Sequence, residues 1–96
     1  MVVKELTVGH PGGIYLKEAA RITNCACGYI SLITCTVRDY TANAKSALSL
    51  LAACAKEGDT LELVCAGEDE IQAADAVAKL ITGEQQCKSE QKSDLS

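Results

Sequence analysis

The residues with the clearest chemical potential follow a pair of glycines near the N-terminus, where Tyr15, Lys17 and Glu18 come soon after Gly12 and Gly13. Two glycines allow a tight turn that lies close to other backbone, and the apolar residues after them recur at helical spacing. A glycine turn that leads into a helix gathers unpaired N–H groups and the positive end of the helix dipole. The sequence therefore predicts an anion site, and its use depends on these three side chains.

A second kind of chemistry could come from the cysteines, of which the chain has six. Nothing indicates a secreted chain, so a disulfide framework is not expected. Cys35 and Cys65 occupy apolar positions of strand-like segments, where a free cysteine packs as a small hydrophobe. Cys25 and Cys27 form the only close pair, and such a pair more often packs than binds a metal. We therefore expect no metal and no other cofactor, with a thiol or metal protein built on this pair as an alternative.

Composition narrows the class of protein. Ninety-six residues make one domain. Its apolar residues include no Trp and no Phe, so it offers no stacking platform for bases. The net charge of −4 argues against nucleic acid and against anionic membranes as partners. The sequence contains no apolar run of membrane-spanning length and no signal-peptide pattern, so a cytoplasmic protein is expected.

Hydrophobic periodicity predicts the elements that must position these residues. Strands are predicted over residues 1–8, 29–37, 40–42 and 60–65, and helices over 16–26, 46–53 and 71–81. The order β-α-β-β-α-β-α places the chain in the α+β class, as an open-faced sandwich whose four-stranded sheet is covered on one face by the helices. Residues 1–83 form the predicted domain, and the polar segment 84–96 is expected to be a disordered tail.

Side chains in two of these helices and in the loop after the first strand complete the prediction. The last helix is expected to bury one apolar stripe, formed by Ile71, Ala74, Val77, Ala78 and Ile81. Ser46 is predicted to cap the N-terminus of the second helix. His10 is the only histidine, and beside Pro11 it is expected to be a solvated loop residue.

Four segments, taken together, resemble the HPr family, the histidine-containing phosphocarriers of the bacterial sugar phosphotransferase system. They read Gly-Ile-Tyr-Leu-Lys-Glu-Ala-Ala at 13–20, Asn-Ala-Lys-Ser-Ala-Leu at 43–48, Gly-Asp-Thr-Leu-Glu-Leu at 58–63 and Gly-Glu-Asp-Glu at 67–70. The resemblance covers everything except the tail. It implies an open-faced β-sandwich with a four-stranded antiparallel sheet covered on one face by three helices.

The resemblance also shows where this chain departs from the family. The first-helix motif of the family reads Gly-Ile/Leu-His-x-Arg-Pro-Ala, and its histidine carries a phosphoryl group from a phosphoenolpyruvate-dependent kinase to the sugar-specific components. Here the histidine position is Tyr15, the arginine position is Lys17 and the proline position is Glu18. A tyrosine phosphate ester is far more inert than a phosphoramidate, and Glu18 repels a phosphoryl group. The resemblance therefore implies a protein that is not an enzyme and has lost histidine phosphotransfer.

A second family feature is retained. In relatives from Gram-positive bacteria, a serine at the start of the short second helix is phosphorylated by an ATP-dependent kinase. The modified protein then binds a transcriptional regulator. Ser46 matches that serine, and the residues around it, which could form the partner-binding surface, are Lys45, Ala47, Leu48 and Leu51. The catabolite-repression HPr-like protein lacks the histidine and keeps this serine. We therefore expect a monomeric regulatory or adaptor protein with phosphotransferase-system partners; a phosphocarrier that uses another group, such as His10, is the alternative.

Overall fold

The computed structural model describes residues 1–83 of the chain. In chain order the elements are β1 (Val2–Thr7), α1 (Leu16–Ala26), β2 (Leu32–Val37), β3 (Tyr40–Asn43), α2 (Ala47–Ala53), β4 (Thr60–Ala66) and α3 (Glu70–Thr82). This is the predicted order, and α1 has the predicted bounds. Segment 84–96, expected to be a tail, lies outside the described residues. No helix within residues 1–83 is long and apolar enough to cross a membrane.

The four strands form one antiparallel sheet in the order β1-β4-β2-β3. Cys65 of β4 lies between Val2 of β1 and Ile33 of β2, while Cys35 of β2 pairs with Ala42 of β3. Residues paired across an antiparallel ladder point to the same face of the sheet. The buried side chains of neighbouring strands therefore line up on one face, and the α+β open-faced sandwich is confirmed.

The core lies between that face and the helices. Along β2 and β4 every second side chain is buried, as the strand period of two requires. Cys35 and Cys65 are fully buried there, as predicted. Burial raises the pKa of the Cys35 thiol to about 12, with a smaller contribution from Cys65, whose own pKa is also raised by burial. Both cysteines therefore act as small core hydrophobes and stay protonated.

The buried stripe of α3 is rotated relative to the prediction. Ile71 was expected in the core, and this expectation is wrong because its side chain is 67% exposed. The helix instead buries Ala73 and Ala74 in its first turns, followed by Val77 and Ile81. Two adjacent alanines let the start of the helix approach the sheet closely, and Ile71 then lies off the centre of the buried stripe.

The start of β2 also differs from the prediction, which placed it near Tyr29. The strand begins at Leu32 because the backbone before it bonds to a side chain of the β4–α3 turn. The Asp69 carboxylate accepts hydrogen bonds from the N–H groups of Ile30 at 2.9 Å and Ser31 at 3.0 Å, and from the Ser31 hydroxyl. These bonds, chiefly the one from the hydroxyl, lower the pKa of Asp69. This cluster joins the start of α3 to the start of β2.

The loop before α1 is held by close backbone contacts at both of its ends. Gly9 N–H donates to the Ile81 carbonyl at 3.2 Å, and Ile14 N–H donates to the Ala55 carbonyl at 2.9 Å. Gly13 has a φ of +108°, and a Cβ there would lie 2.4 Å from the Ala55 oxygen. Only glycine fits this approach. The loop is thus pinned between the end of α3 and the turn after α2, which sets where α1 begins.

Replacing Gly13 by Ala should destabilise the fold, because the added Cβ meets backbone and the φ is left-handed. Gly58→Ala is the matched control: its φ is +90°, and nothing lies within 4 Å of the added carbon. We expect the control to lose about 1 kcal/mol from the left-handed conformation and Gly13→Ala to lose about 1–3 kcal/mol more from the clash. Urea unfolding of both variants measures the difference; equal losses would contradict the contact.

Removal of the Asp69 charge should change how stability depends on pH. Because folding lowers this pKa, the stabilisation is complete above the unfolded value of about 3.9. It is lost as the pH falls through the lower folded value. We expect Asp69→Asn to be less stable than the wild type at neutral pH, and the gap in urea midpoint to narrow in acid. The control is Asp39→Asn, at an exposed position, which should have the same urea midpoint as the wild type. A difference in midpoint for Asp69→Asn that does not change with pH would contradict the lowered pKa of Asp69.

Candidate functional site

Tyr15 is the N-cap residue of α1 and is 62% exposed, but its side chain makes no capping hydrogen bond. The Glu18 carboxylate turns back instead and accepts a hydrogen bond from Tyr15 N–H at 3.2 Å. A glutamate that bonds the N-cap amide in this way satisfies one of the free donors of the helix start, and its charge complements the helix dipole. The anion-favouring end of α1 therefore already holds a carboxylate of the chain itself.

A second carboxylate approaches the same loop. Glu57, in the turn before β4, accepts a hydrogen bond from Gly12 N–H at 3.3 Å. The Lys17 side chain is exposed, and its ammonium group makes no hydrogen bond or ion pair with another described residue. Two backbone donors near the start of α1 are thus satisfied by acidic side chains, while the nearby cation remains in solvent. The two carboxylates therefore place negative charge beside the start of α1, which disfavours an additional anion there. The sequence prediction missed Glu57, because nothing local to that residue indicates that it faces Gly12.

A cleft lies beside Tyr15, between the loop before α1 and the end of α2. Its lining is mostly apolar and consists of Gly12, Ile14, Tyr15, Leu51, Cys54, Ala55 and Lys56. Leu51 was predicted to be part of a partner-binding surface, whereas the three residues after α2 were not predicted to belong to the site. The apolar periodicity of α2 is interrupted just before the Gly-Asp motif at 58–59. This interruption is the sequence signal that could have identified the three residues after the helix.

Arg38 fixes the end of α2 that forms one wall of this cleft. Its guanidinium donates to the carbonyls of Ala53 at 3.2 Å and Cys54 at 3.0 Å, and forms an ion pair with Asp59 at 2.7 Å. Asp59 also accepts a hydrogen bond from Lys56 N–H at 2.9 Å. The bond from Lys56, followed by that from Arg38, lowers the pKa of Asp59. The sequence prediction treated Arg38 only as part of the gap between two strands.

Ser46 is the N-cap residue of α2, as predicted, and its hydroxyl oxygen accepts a hydrogen bond from Ser49 N–H at 3.3 Å. Lys45 does not extend into solvent, because its Nζ donates to the Tyr29 carbonyl at 2.7 Å. Leu48 is 79% exposed, while Ala47 and Leu51 are half-buried. The start of α2 therefore presents a hydroxyl beside one prominent apolar side chain.

Tyr15 and Ser46 lie at the two ends of the α1–α2 helix pair, Tyr15 by the end of α2 and Ser46 by the end of α1. Helices α1 and α2 are joined by a hydrogen bond from the Thr23 hydroxyl to the Ala44 carbonyl at 3.1 Å. The end of α2 forms one wall of the cleft beside Tyr15, and Ser46 is at the N-terminus of the same helix. A seven-residue helix is about 10 Å long. We call the surface of this helix pair, with Tyr15, Leu16, Ser46 and Leu48, the α1–α2 surface.

His10 is not the solvated loop residue that the sequence predicts. It is buried, with 3% of its surface exposed, and its Nε2 hydrogen-bonds to the Leu80 carbonyl of α3. The reason is the close packing of the preceding residue: a Cβ on Gly9 would lie 2.0 Å from the Thr82 oxygen, so the loop lies directly against the end of α3. The imidazole therefore lies where the loop packs against the end of α3 and hydrogen-bonds to that helix.

The other cysteines among residues 1–83 show no metal-site geometry. Cys25 is half-buried, and burial raises its pKa, while Cys27 is exposed. Within residues 1–83 no group of three or more His, Cys, Asp or Glu side chains is placed to hold a metal ion, and the five cysteines of that part are free thiols. The sixth, Cys87, lies outside the described residues. The Cys25–Cys27 alternative therefore has no third ligand in the described part of the chain.

Comparisons with known proteins agree with this architecture. A family model described as "PTS HPr component phosphorylation site" matches residues 2–83. The phosphocarrier protein HPr of Lysinibacillus sphaericus is 34% identical over 82 residues, which cover 85% of this chain and 93% of that protein.

Two solved structures extend the comparison. HPr-C-His from Thermoanaerobacter tengcongensis superposes with a TM-score of 0.82 at 24% identity, covering 88% of this chain and 94% of that one. The Bacillus subtilis catabolite repression protein Crh, crystallised as a swapped dimer, has a TM-score of 0.71 at 26% identity and covers 88% of this chain and 97% of its own. With a family match over nearly all described residues, this chain belongs to the HPr family of the phosphotransferase system.

Proposed function

We propose that this HPr-family protein does not carry a phosphoryl group at the start of α1 and acts as a regulatory or adaptor protein through its α1–α2 surface. The observation that supports this most directly is the Glu18 carboxylate, which lies 3.2 Å from Tyr15 N–H at the helix start. In the carrier reaction a phosphoryl group would need this region, because the free backbone donors and the helix dipole stabilise its charge. A carboxylate of the chain already makes that interaction.

The side chains at this position support the same proposal. By resemblance Tyr15 stands where family carriers have histidine. A phosphoryl group on imidazole nitrogen is reactive enough to be passed on, whereas an ester on a phenol is not. Lys17 provides a charge but lacks the planar fork with which arginine binds phosphate through two bonds. The alternative of a relay through His10 finds no support, because that imidazole is buried against Leu80.

We also propose that Ser46 is the point of regulation, phosphorylated by an ATP-dependent serine kinase. The resemblance supports the position, and the hydroxyl stands at the N-terminus of α2, where a phosphate would be electrostatically favoured. Leu48 beside it is exposed and offers a partner an apolar contact. Proposed partners are components of the phosphotransferase system, that kinase and a transcriptional regulator. In this proposal the protein acts as a monomer.

The first test restores the histidine. With phosphoenolpyruvate and the kinase of the phosphotransferase system, the wild type should acquire no acid-labile phosphate, and Tyr15→His alone should remain a poor acceptor because the Glu18 charge persists. Tyr15→His combined with Glu18→Gln should label faster than Tyr15→His by about tenfold, as expected for removal of a neighbouring like charge. The matched control is Tyr15→His with Glu5→Gln, since Glu5 is on β1. Acid-labile label on the wild type would refute the proposal.

The second test concerns Ser46. Incubation with ATP and the family's serine kinase should place one acid-stable phosphate on the wild type and none on Ser46→Ala. Ser49→Ala, which changes a hydroxyl one turn away, should still be labelled. Because Ser46→Ala also removes the helix cap, it should lose about 1 kcal/mol of stability. Ser46→Asn keeps a capping oxygen, so it separates the two effects: it should be stable and unlabelled. Label that persists in Ser46→Ala and Ser46→Asn would exclude this site.

A further inference from the structure

The exposed apolar side chains of the described residues fall into distinct groups. Tyr15, Leu16 and Leu48 lie on the α1–α2 surface, which the proposed function uses. A second group consists of Met1, Val3, Ile30, Leu32 and Ile71, which are all more than half exposed. Exposed apolar residues scattered singly need no explanation, but a group of them marks an interaction site.

Backbone contacts bring this second group to one end of the sheet. Leu32, which is 63% exposed, pairs with Ala66, and Val3 pairs with Val64. These residues are on the face that the helices leave open. Ile30 and Ile71 lie at the same end of the sheet, where Ile30 N–H bonds to Asp69 of the β4–α3 turn, but Ile71 is on α3, which packs against the other face. We call Val3, Leu32 and Val64, which are on the open face, the open-face patch.

Acidic side chains border this patch. Glu5 and Glu62 are directly paired across β1 and β4, and both are exposed, two residues along the strands from the Val3–Val64 pair. Glu68, in the β4–α3 turn, is also exposed. Two like charges directly opposite each other in a sheet are unfavourable. None of the three forms an ion pair with a lysine or arginine of residues 1–83.

The nearest lysine of the strands does not offset these charges. Lys4 lies between Val3 and Glu5 but points to the opposite face of the sheet, where its Nζ pairs with Asp75 of α3 at 3.3 Å. The open face thus combines apolar side chains with uncompensated carboxylates. A second copy of this chain would bring like charges together, and an anionic surface would be repelled, so charge complementarity selects a basic partner.

We propose that the open-face patch binds a basic amphipathic helix of another protein, with its apolar stripe on Val3, Leu32 and Val64 and its lysines or arginines near Glu5 and Glu62. A sheet with one helix-covered face can accept a helix on the other and so form a third layer. The patch is on the side of the sheet opposite to the helices. This site is therefore independent of the proposed function at the α1–α2 surface.

The test uses the full chain, labelled with nitrogen-15, and a synthetic alanine-based helix that has leucines on one stripe and lysines beside it. NMR titration should shift the amide signals of Val3, Leu32 and Val64, and binding should weaken with added salt. The same helix with glutamate in place of each lysine should not bind. Leu32→Ser and Val3→Ser should each weaken binding by about tenfold, as expected for a lost apolar contact. Leu48→Ser, on the α1–α2 surface, should bind as the wild type does.

Reversal of one charge provides a further variant that leaves the apolar side chains in place. Glu62→Lys should weaken binding of the lysine helix and permit binding of the glutamate helix. Absence of binding, equal binding of both helices, or shifts confined to the α1–α2 surface would overturn the proposal. Two other occupants of the patch would also overturn it. A concentration-dependent dimer that Leu32→Ser abolishes would indicate a second copy of the chain, and nuclear Overhauser contacts between residues 84–96 and Leu32 in the free protein would indicate that segment.

Discussion

A backbone contact between the loop before α1 and the turn after α2 determines the geometry of the candidate site. The Ile14 N–H bonds to the Ala55 carbonyl, and Gly13 approaches that carbonyl too closely for any side chain. Because the contact is made by backbone, it holds the start of α1 in one position. Arg38 completes the arrangement from the other side, since it binds the last carbonyls of α2 and the Asp59 carboxylate.

This position of α1 explains the electrostatics of the site. The helix start faces the turn that carries Glu57, and Glu18 lies within its own first turn. Both carboxylates bond backbone N–H groups beside the helix start and bring negative charge to it. The fold is preserved while the helix start carries the chain's own charges, which leaves the α1–α2 surface exposed. That combination is what the proposed regulatory role requires.

The molecule thus has two surfaces with different chemistry. The α1–α2 surface presents Tyr15, Ser46 and Leu48 on the helical side. The open-face patch presents apolar side chains beside Glu5 and Glu62 on the other side of the sheet. Because the sheet separates them, one protein could contact two partners at once. The Asp69 carboxylate connects the β4–α3 turn to the residues just before β2, next to Leu32 of the open-face patch.

The sequence by itself determined the order of the elements, the bounds of α1 and the helix cap at Ser46. Each of these features depends on signals within a few positions of the chain. Other features depend on distant partners. Glu57 bonds Gly12 although 45 positions separate them, and His10 is buried by the end of α3, 70 positions away. Only the tertiary structure decided these, since the packing of loops against helix ends leaves no local pattern. The same holds for Ile71, which two alanines at the helix–sheet contact turn outward.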